Sequence, residues 1–312
     1  MIKPELLAPS GNFNTLKAAI QAGADAVYLG ASKFSARAFA GNFNDNKLEE
    51  AVTYASEHNV KTYLAINTLL TDRELKEGME VAGNAYSSGV SAFIVQDLGL
   101  ASLIQKNFPA ANLHASTQMT AKSLADVEFL GKLGFKRVVL ARELSRNQIQ
   151  DIAANTNIEL EVFVHGALCS AYSGQCLMSS FIGGNSGGVR SANRGSCAQP
   201  CRLPYKSGGK NGVLLSLKDL CLIDYVDEFS ATGISALKIE GRMKGEDYVR
   251  TVVKAYRSAL DGKPLSESQK QKMLKTFNRG GYTDGYYIEK KSAMYMDALK
   301  NPYIGGGRGN AR

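Results

Sequence analysis

Residues 5–31 read ELLAPSGNFNTLKAAIQAGADAVYLGA, and this stretch decides the fold. A short β-rich run, Glu5 to Ser10, gives way to an amphipathic pattern from Asn14 to Ala22. Gly23 stops that helix, and a second β-rich run follows from Ala26 to Ala31. The first turn, Pro9-Ser10-Gly11-Asn12, lacks the GxGxxG spacing of a dinucleotide fold, and no Walker-type phosphate loop occurs in the chain.

Working outward, the same alternation repeats. Further strands are expected at Lys61 to Asn67, Ala92 to Asp97, Asn112 to Gln118, Arg137 to Arg142, Glu159 to Gly166 and Ala236 to Gly241. Helices are expected at Asn46 to His58, Asp72 to Ser88, Leu100 to Lys106, Ala121 to Leu133, Arg146 to Asn155, Leu222 to Thr232 and Glu246 to Leu260. Asp45, Thr71 and Ser145 stand at N-cap positions, and Gly23, Gly89, Gly134 and Gly233 follow helix ends. Eight strand-helix units in about 260 residues is the arithmetic of an α/β protein of the (β/α)8, TIM-like barrel class. Continuously apolar strands such as Ala92-Phe93-Ile94-Val95 imply that both faces are covered, which an open doubly wound sheet would also satisfy. The unit count and the missing dinucleotide fingerprint favour the barrel.

One unit is irregular. Strand seven ends at His165-Gly166 and the next helix waits until Leu222, so an insertion at 167–221 would leave the C-terminal face of the barrel, where this fold assembles its chemistry. It holds a Gly/Ser-rich stretch, Gly183 to Gly188, and all five cysteines, Cys169, Cys176, Cys197, Cys201 and Cys221. An odd count without an export signal argues against a disulfide framework. Four thiolates suit zinc or an iron-sulfur cluster. Because the spacing lacks paired tight knuckles, a [4Fe-4S] cluster on Cys169, Cys176, Cys197 and Cys201 is favoured, while reduced cysteines packed as small hydrophobes are the plainer alternative. Cys221, near the expected helix start among apolar neighbours, reads as core.

Composition sets the outer bounds. Of 312 residues, 44% are hydrophobic and 21% charged, which excludes a disordered or fibrous chain. No window approaches 18 uninterrupted apolar residues, and the start lacks a secretory pattern, so a soluble, cytoplasmic protein without membrane partners is expected. The net charge of +8 is uneven: from Lys263 onward ten basic residues face four acidic ones, interleaved with Tyr282, Tyr286, Tyr287, Tyr295 and Tyr303. Cations among stackable rings suit single-stranded nucleic acid. A solvated basic tail is the plainer reading. The expected organisation is a barrel over 1–262 and a basic, Tyr-rich extension over 263–312.

Barrel strand ends supply the candidate site: Asn67, Gln96, Asp97, His114, Gln118, Arg142, Glu143, His165, Lys238, Glu240 and Arg242. Each alone suits a strand-end hydrogen bond or ion pair; together they offer acid, base and anion-binding groups around one mouth. His58, ending a helix, reads as a solvated residue favoured by the helix dipole. Neither HExxH nor GxSxG occurs, and the one conceivable protease pairing is His165 with Cys169.

Several motifs then coincide: Phe34-Ser35-Ala36-Arg37 with Asn42-Phe43; Ile66-Asn67-Thr68; His165-Gly166-Ala167-Leu168-Cys169 with Tyr172-Ser173-Gly174 and Cys176; Asn193-Arg194-Gly195; Cys197-Ala198-Gln199-Pro200-Cys201-Arg202; Lys238-Ile239-Glu240-Gly241-Arg242; and Phe277-Asn278-Arg279-Gly280. From about residue 4 to residue 287 the chain resembles the collagenase-like peptidase family, peptidase family 32 of unassigned catalytic type. Members include collagen-degrading peptidases, a tRNA protein making wobble 5-hydroxyuridine with prephenate, a 23S rRNA cytidine hydroxylation protein, and a quinone-hydroxylation branch with a [4Fe-4S] cluster on four cysteines.

The resemblance implies a cluster on Cys169, Cys176, Cys197 and Cys201. It also implies participation in pyrimidine hydroxylation of RNA, with tRNA as partner, prephenate as co-substrate and a second family-member chain as a further candidate partner. The expected catalytic set is His114, Gln118, Glu143, His165, Glu240 and Arg242. The stretch between Cys176 and Cys197 is longer than usual for the family, and many RNA-directed members continue into a further domain. The rivals are a collagenase-like peptidase, and a cluster-bearing scaffold or accessory protein of oxygen-independent quinone hydroxylation.

Overall fold

The computed structural model describes residues 3–38, 40–183, 190–263, 265–290 and 294–296. In chain order the first half runs β1 (Glu5–Pro9), α1 (Phe13–Gln21), β2 (Ala26–Gly30), α2 (Asp45–Glu57), β3 (Lys61–Ile66), α3 (Asp72–Ser87), β4 (Ala92–Val95), α4 (Leu98–Asn107), β5 (Leu113–Ala115), α5 (Leu124–Lys132), β6 (Arg137–Val139), α6 (Arg146–Ala154) and β7 (Glu159–Gly166). The insertion then contributes α7 (Met178–Gly183), the hairpin β8 (Tyr205–Ser207) and β9 (Lys210–Gly212), and β10 (Asp219–Cys221). The chain continues with α8 (Val226–Ala231), β11 (Ala236–Ile239), α9 (Glu246–Leu260), α10 (Glu267–Lys275) and β12 (Tyr282–Thr283).

Strands β1 to β7 pair in parallel in sequence order, and β11 pairs in parallel with both β7 and β1. This closes an eight-stranded (β/α)8 barrel. Alternation along the strands separates two apolar sets. Leu6 and Ala8 belong to the core beneath the helices, whereas Leu7, Tyr28, Tyr63, Ala65 and Ile94 fill the lumen. The lumen also holds charge: Lys238 Nζ lies 2.8 Å from Glu161, and Arg137 bridges Glu5 at 2.8 Å, Glu159 at 2.8 Å and Glu161 at 3.5 Å. Burying these groups requires such mutual pairing.

Most elements fall where the pattern places them, with local shifts that have causes. The N-cap of α2 is Asn44 rather than Asp45, its side chain accepting from Lys47 N. The expected fifth strand to Gln118 stops at Ala115, because Ser116 Oγ accepts from Gln118 N and turns the chain into a 3-10 helix, Thr117–Met119. Helix α5 starts at Leu124 instead of Ala121, since Ser123 and Asp126 form a reciprocal capping box. The helix expected from Leu222 is a 3-10 turn, Ile223–Tyr225, followed by α8. Cys221 lies on β10, antiparallel to β7 and directly opposite His165.

Past Lys263, α10 packs on α9 and buries Met273, and β12 pairs in parallel with β10. Tyr287 is buried with its hydroxyl donating to Glu228 at 2.9 Å, and Arg146 pairs with the same carboxylate. Residues 184–189 of the Gly-rich stretch lie outside the described residues, as do Lys291, Asp297, Lys300, Tyr303, Arg308 and Arg312. Among the described residues no helix is long and apolar enough to cross a membrane.

Candidate active site at the barrel mouth

Two guanidiniums pair with one carboxylate at the C-terminal end of the barrel, and a third is buried nearby. Glu240, just past β11, accepts from Arg142 at 2.8 Å and Arg37 at 3.1 Å. Arg242 is 5% exposed, donates to Ser35 Oγ at 2.8 Å and lies over the Tyr28 ring. Burial would raise the Glu240 carboxyl, but Arg37, Arg142 and Arg242 outweigh it and hold it at about 2. Burial, with Arg37 adding to it, pushes Arg242 down to about 10. One carboxylate against three guanidiniums leaves a buried excess of positive charge, which an anionic ligand would relieve.

Local backbone makes room for this cluster. A Cβ on Gly30, at the end of β2, would overlap the Arg242 guanidinium and Asn42 Oδ1. Phe34 and Asn42 adopt left-handed φ of 60° and 47° in the loop that carries Ser35 and Arg37. Such conformations cost free energy in non-glycine residues and gather at functional sites. Asn67 latches the loop, accepting from Ala36 N at 3.0 Å while donating to Ser116 Oγ at 3.1 Å.

The cysteine loops lie against the same cluster. Burial pushes the Cys169 thiol up, and Cys176 and Cys201 beside it push in the same direction. Arg37, held up chiefly by Glu240, also feels Cys197 and Cys169. The four cysteines thus share one electrostatic neighbourhood with Arg37 and Arg142. Gln199, at a left-handed φ of 54°, directs its N–H to Cys197 Sγ at 3.3 Å, and Ser179 Oγ is 3.9 Å from the same sulfur. Among the described residues no three His, Cys, Asp or Glu side chains are grouped to hold a single metal ion. Soft thiol donors, N–H groups aimed at sulfur and adjacent guanidiniums are features that fit an iron-sulfur cluster, whose cysteines each bind a different iron. Cys221 is separate, pushed up to about 11 by burial.

The structure sorts the other sequence candidates by position. Glu143 Oε1 accepts from Ser173 N at 3.1 Å and Ser173 Oγ at 3.0 Å, so this carboxylate holds the Cys169–Cys176 loop; its Oε2 is buried without a partner among the described residues. Gln96 Nε2 donates to the Gln118 carbonyl at 3.3 Å, and Gln96 Oε1 is likewise unpartnered. Asp97 caps α4 through Leu100 N at 2.9 Å. Lys238 lies deeper, on Glu161.

His114 and His165 are not brought to the mouth. His114 is enclosed in the lumen against Tyr63, and burial pushes it well below the ordinary histidine range. His165 faces the opposite side of the wall, against Tyr248 and Tyr256 of α9 and Tyr282 of β12. The cause is a register shift between β11 and β7, where Lys238 opposes Phe163 but Ile239 opposes His165. A bulge re-aims the side chain that follows it. Sequence reasoning missed three mouth residues. Arg37 and Asp219 come from outside the eight strand ends, and Lys244 lies beyond the last one. Asp219 on β10 is 1% exposed and pairs with Arg279 at 3.4 Å. Lys244 is pushed down to about 8 by burial and by Arg279. Only Arg37 carried a signal, its place in the Phe34–Arg37 motif.

Fold and site together define a (β/α)8 barrel with a cationic mouth and a cysteine-rich loop laid against it. The sequence pattern of Peptidase family U32 matches residues 11–297, and the chain belongs to that family. It is 40% identical over 310 residues to an uncharacterized protease of Methanocaldococcus jannaschii, covering 92% of this chain and 74% of that one. It is 40% identical over 264 residues to the 23S rRNA 5-hydroxycytidine synthase of Escherichia coli, covering 82% and 39%. A tRNA hydroxylation protein of Bacillus subtilis is 38% identical over 273 residues, covering 83% and 63%. The chain therefore spans less than two thirds of each of the latter two proteins.

Proposed function

We propose that this protein is a cytoplasmic iron-sulfur enzyme that takes part in hydroxylating a pyrimidine of RNA, with the wobble uridine of tRNA as the base and prephenate as the acidic co-substrate. The observation that carries the reading is the set of Arg37, Arg142 and Arg242 around Glu240, next to Cys169, Cys176, Cys197 and Cys201. The names of the Escherichia coli and Bacillus subtilis relatives support the reaction class.

The residues suggest their own division of labour. Planar guanidiniums bind carboxylates in bidentate fashion, which suits Arg242 and Arg37 to the metabolite. Glu240, ionised down to about pH 2, orients the Arg37 and Arg142 guanidiniums and holds no proton to donate at neutral pH. A cluster on the four cysteines would supply one-electron transfer beside the bound base. A peptidase would need a base poised over a nucleophile, whereas the His165 ring is engaged by three tyrosines.

Anaerobic purification followed by iron and sulfide analysis and a visible spectrum tests the cofactor. About four irons and four sulfides per chain with broad visible absorption are expected. A colourless protein with stoichiometric zinc would reject the reading. Nucleoside analysis of bulk tRNA from a deletion strain tests the substrate: 5-hydroxylated uridine should vanish, and unchanged tRNA would reject that choice.

A further inference from the structure

Two aromatic rings stand open on the rim of the mouth, each with an ammonium over one face. Phe277, in the segment between α10 and β12, is 58% exposed, and Lys244 Nζ lies 3.1 Å from its centroid. Tyr172, between Cys169 and Cys176, is 61% exposed, with Lys122 Nζ 5.5 Å from its centroid. Both belong to the mouth: Lys244 N donates to the Gly241 carbonyl at 2.8 Å, between Glu240 and Arg242, and Ser173, next to Tyr172, is held by Glu143 at 3.1 and 3.0 Å. A single exposed ring needs no explanation. Two rings with paired cations beside the Arg37, Arg142 and Arg242 cluster form a pattern: each ring can take the π-face of a base while its ammonium takes the adjoining phosphate.

We propose that Phe277 and Tyr172 are stacking platforms for unpaired RNA bases flanking the base that enters the mouth. The proposal rests on the RNA reading above and narrows it to single-stranded loops, because a duplex keeps its base faces stacked on one another. Charge complementarity selects RNA over a second copy of this basic chain, which would bring like charge to the same rim.

The chain contains no tryptophan, so Phe277→Trp places a single indole on the rim. Titration of that variant with an oligouridylate of about ten nucleotides should quench the indole saturably. Polyphosphate of equal charge, or a duplex of equal length, should not. Phe277→Leu and Tyr172→Leu should each weaken oligonucleotide binding about 5- to 100-fold at unchanged melting temperature, with Phe277→Tyr and Tyr172→Phe close to the parent. Oligonucleotide binding that leaves the indole untouched and ignores both leucine variants overturns the stacking proposal and leaves the RNA reading standing. A parent protein that binds no RNA overturns both. Self-association that Phe277→Leu abolishes would reassign the rim to a second copy.

Discussion

Buried among tyrosines with no charged partner among the described residues, the His165 imidazole is pushed down to about 3 by burial. An unfolded chain holds the same group near 6.5, so between pH 6.5 and 3 only the unfolded state binds this proton. Stability from this residue is therefore complete above about pH 6.5 and falls with acid, by up to about 1.4 kcal/mol per pH unit. Glu240 acts in a lower window: its paired carboxylate loses its contribution only as pH falls from about 4.5 toward 2. The two effects are separable. In His165→Gln, urea unfolding at pH 7, 6 and 5 should show a stability that declines more gently than the parent's, by about one proton. Identical slopes would mean that the imidazole titrates in the native state. The residue was legible as a strand-seven histidine, but its direction was not. Period-two alternation from Glu161 and Phe163 points it into the mouth, and a one-residue bulge reverses it.

At the scale of elements, what the sequence made legible was the part governed by local chemistry. Caps and hydrophobic period placed the helices and the barrel strands because those signals act within a few residues. Strand β10 escaped because three residues, Asp219 to Cys221, are too few to show alternation, and only its pairing with β7 and β12 makes it a strand. The cysteine loop depends on a similarly remote contact. Gly174 has φ of +74°, and a Cβ there would overlap the Gln118 carbonyl of the neighbouring 3-10 turn. Gly174→Ala should cost about 1–3 kcal/mol and shift the loop between Cys169 and Cys176, and with the proposed cluster on these cysteines it should lower the iron bound per chain after reconstitution. Gly233→Ala is the control, since Gly233 has φ of +76° with nothing near its would-be Cβ. It should carry the backbone strain without loss of iron. Equal iron content in the two variants would reject a positioning role for the Gly174 turn.

For the whole molecule, charge counting suggested a barrel with a basic tail, and the tail reading weakens where the chain is described. Hydrophobic burial decides this: Met273 and Tyr287 are enclosed in the main core, and Ile288 and Leu274 pack against it. Composition hid the effect because these few apolar residues are scattered among lysines, and their partners lie far away in α8, α9 and β10. The segment also completes the mouth, for Arg279 supplies the counter-charge of Asp219 and Phe277 the ring over Lys244. Removing residues 267–312 would take Met273 and Tyr287 out of the core and uncover the apolar surface of α9 and Phe229 that they shield, a loss of about 1.5–3 kcal/mol for each side chain. It would also strip Asp219 of both the Arg279 guanidinium and the β12 strand that pairs beside it. The truncated chain should therefore unfold at a urea concentration well below that of the parent, and its Lys244 should lose the depression caused by Arg279. A solvated tail would instead leave the urea midpoint unchanged, and that outcome would return the segment to the status of an appendage and detach Phe277 from the mouth.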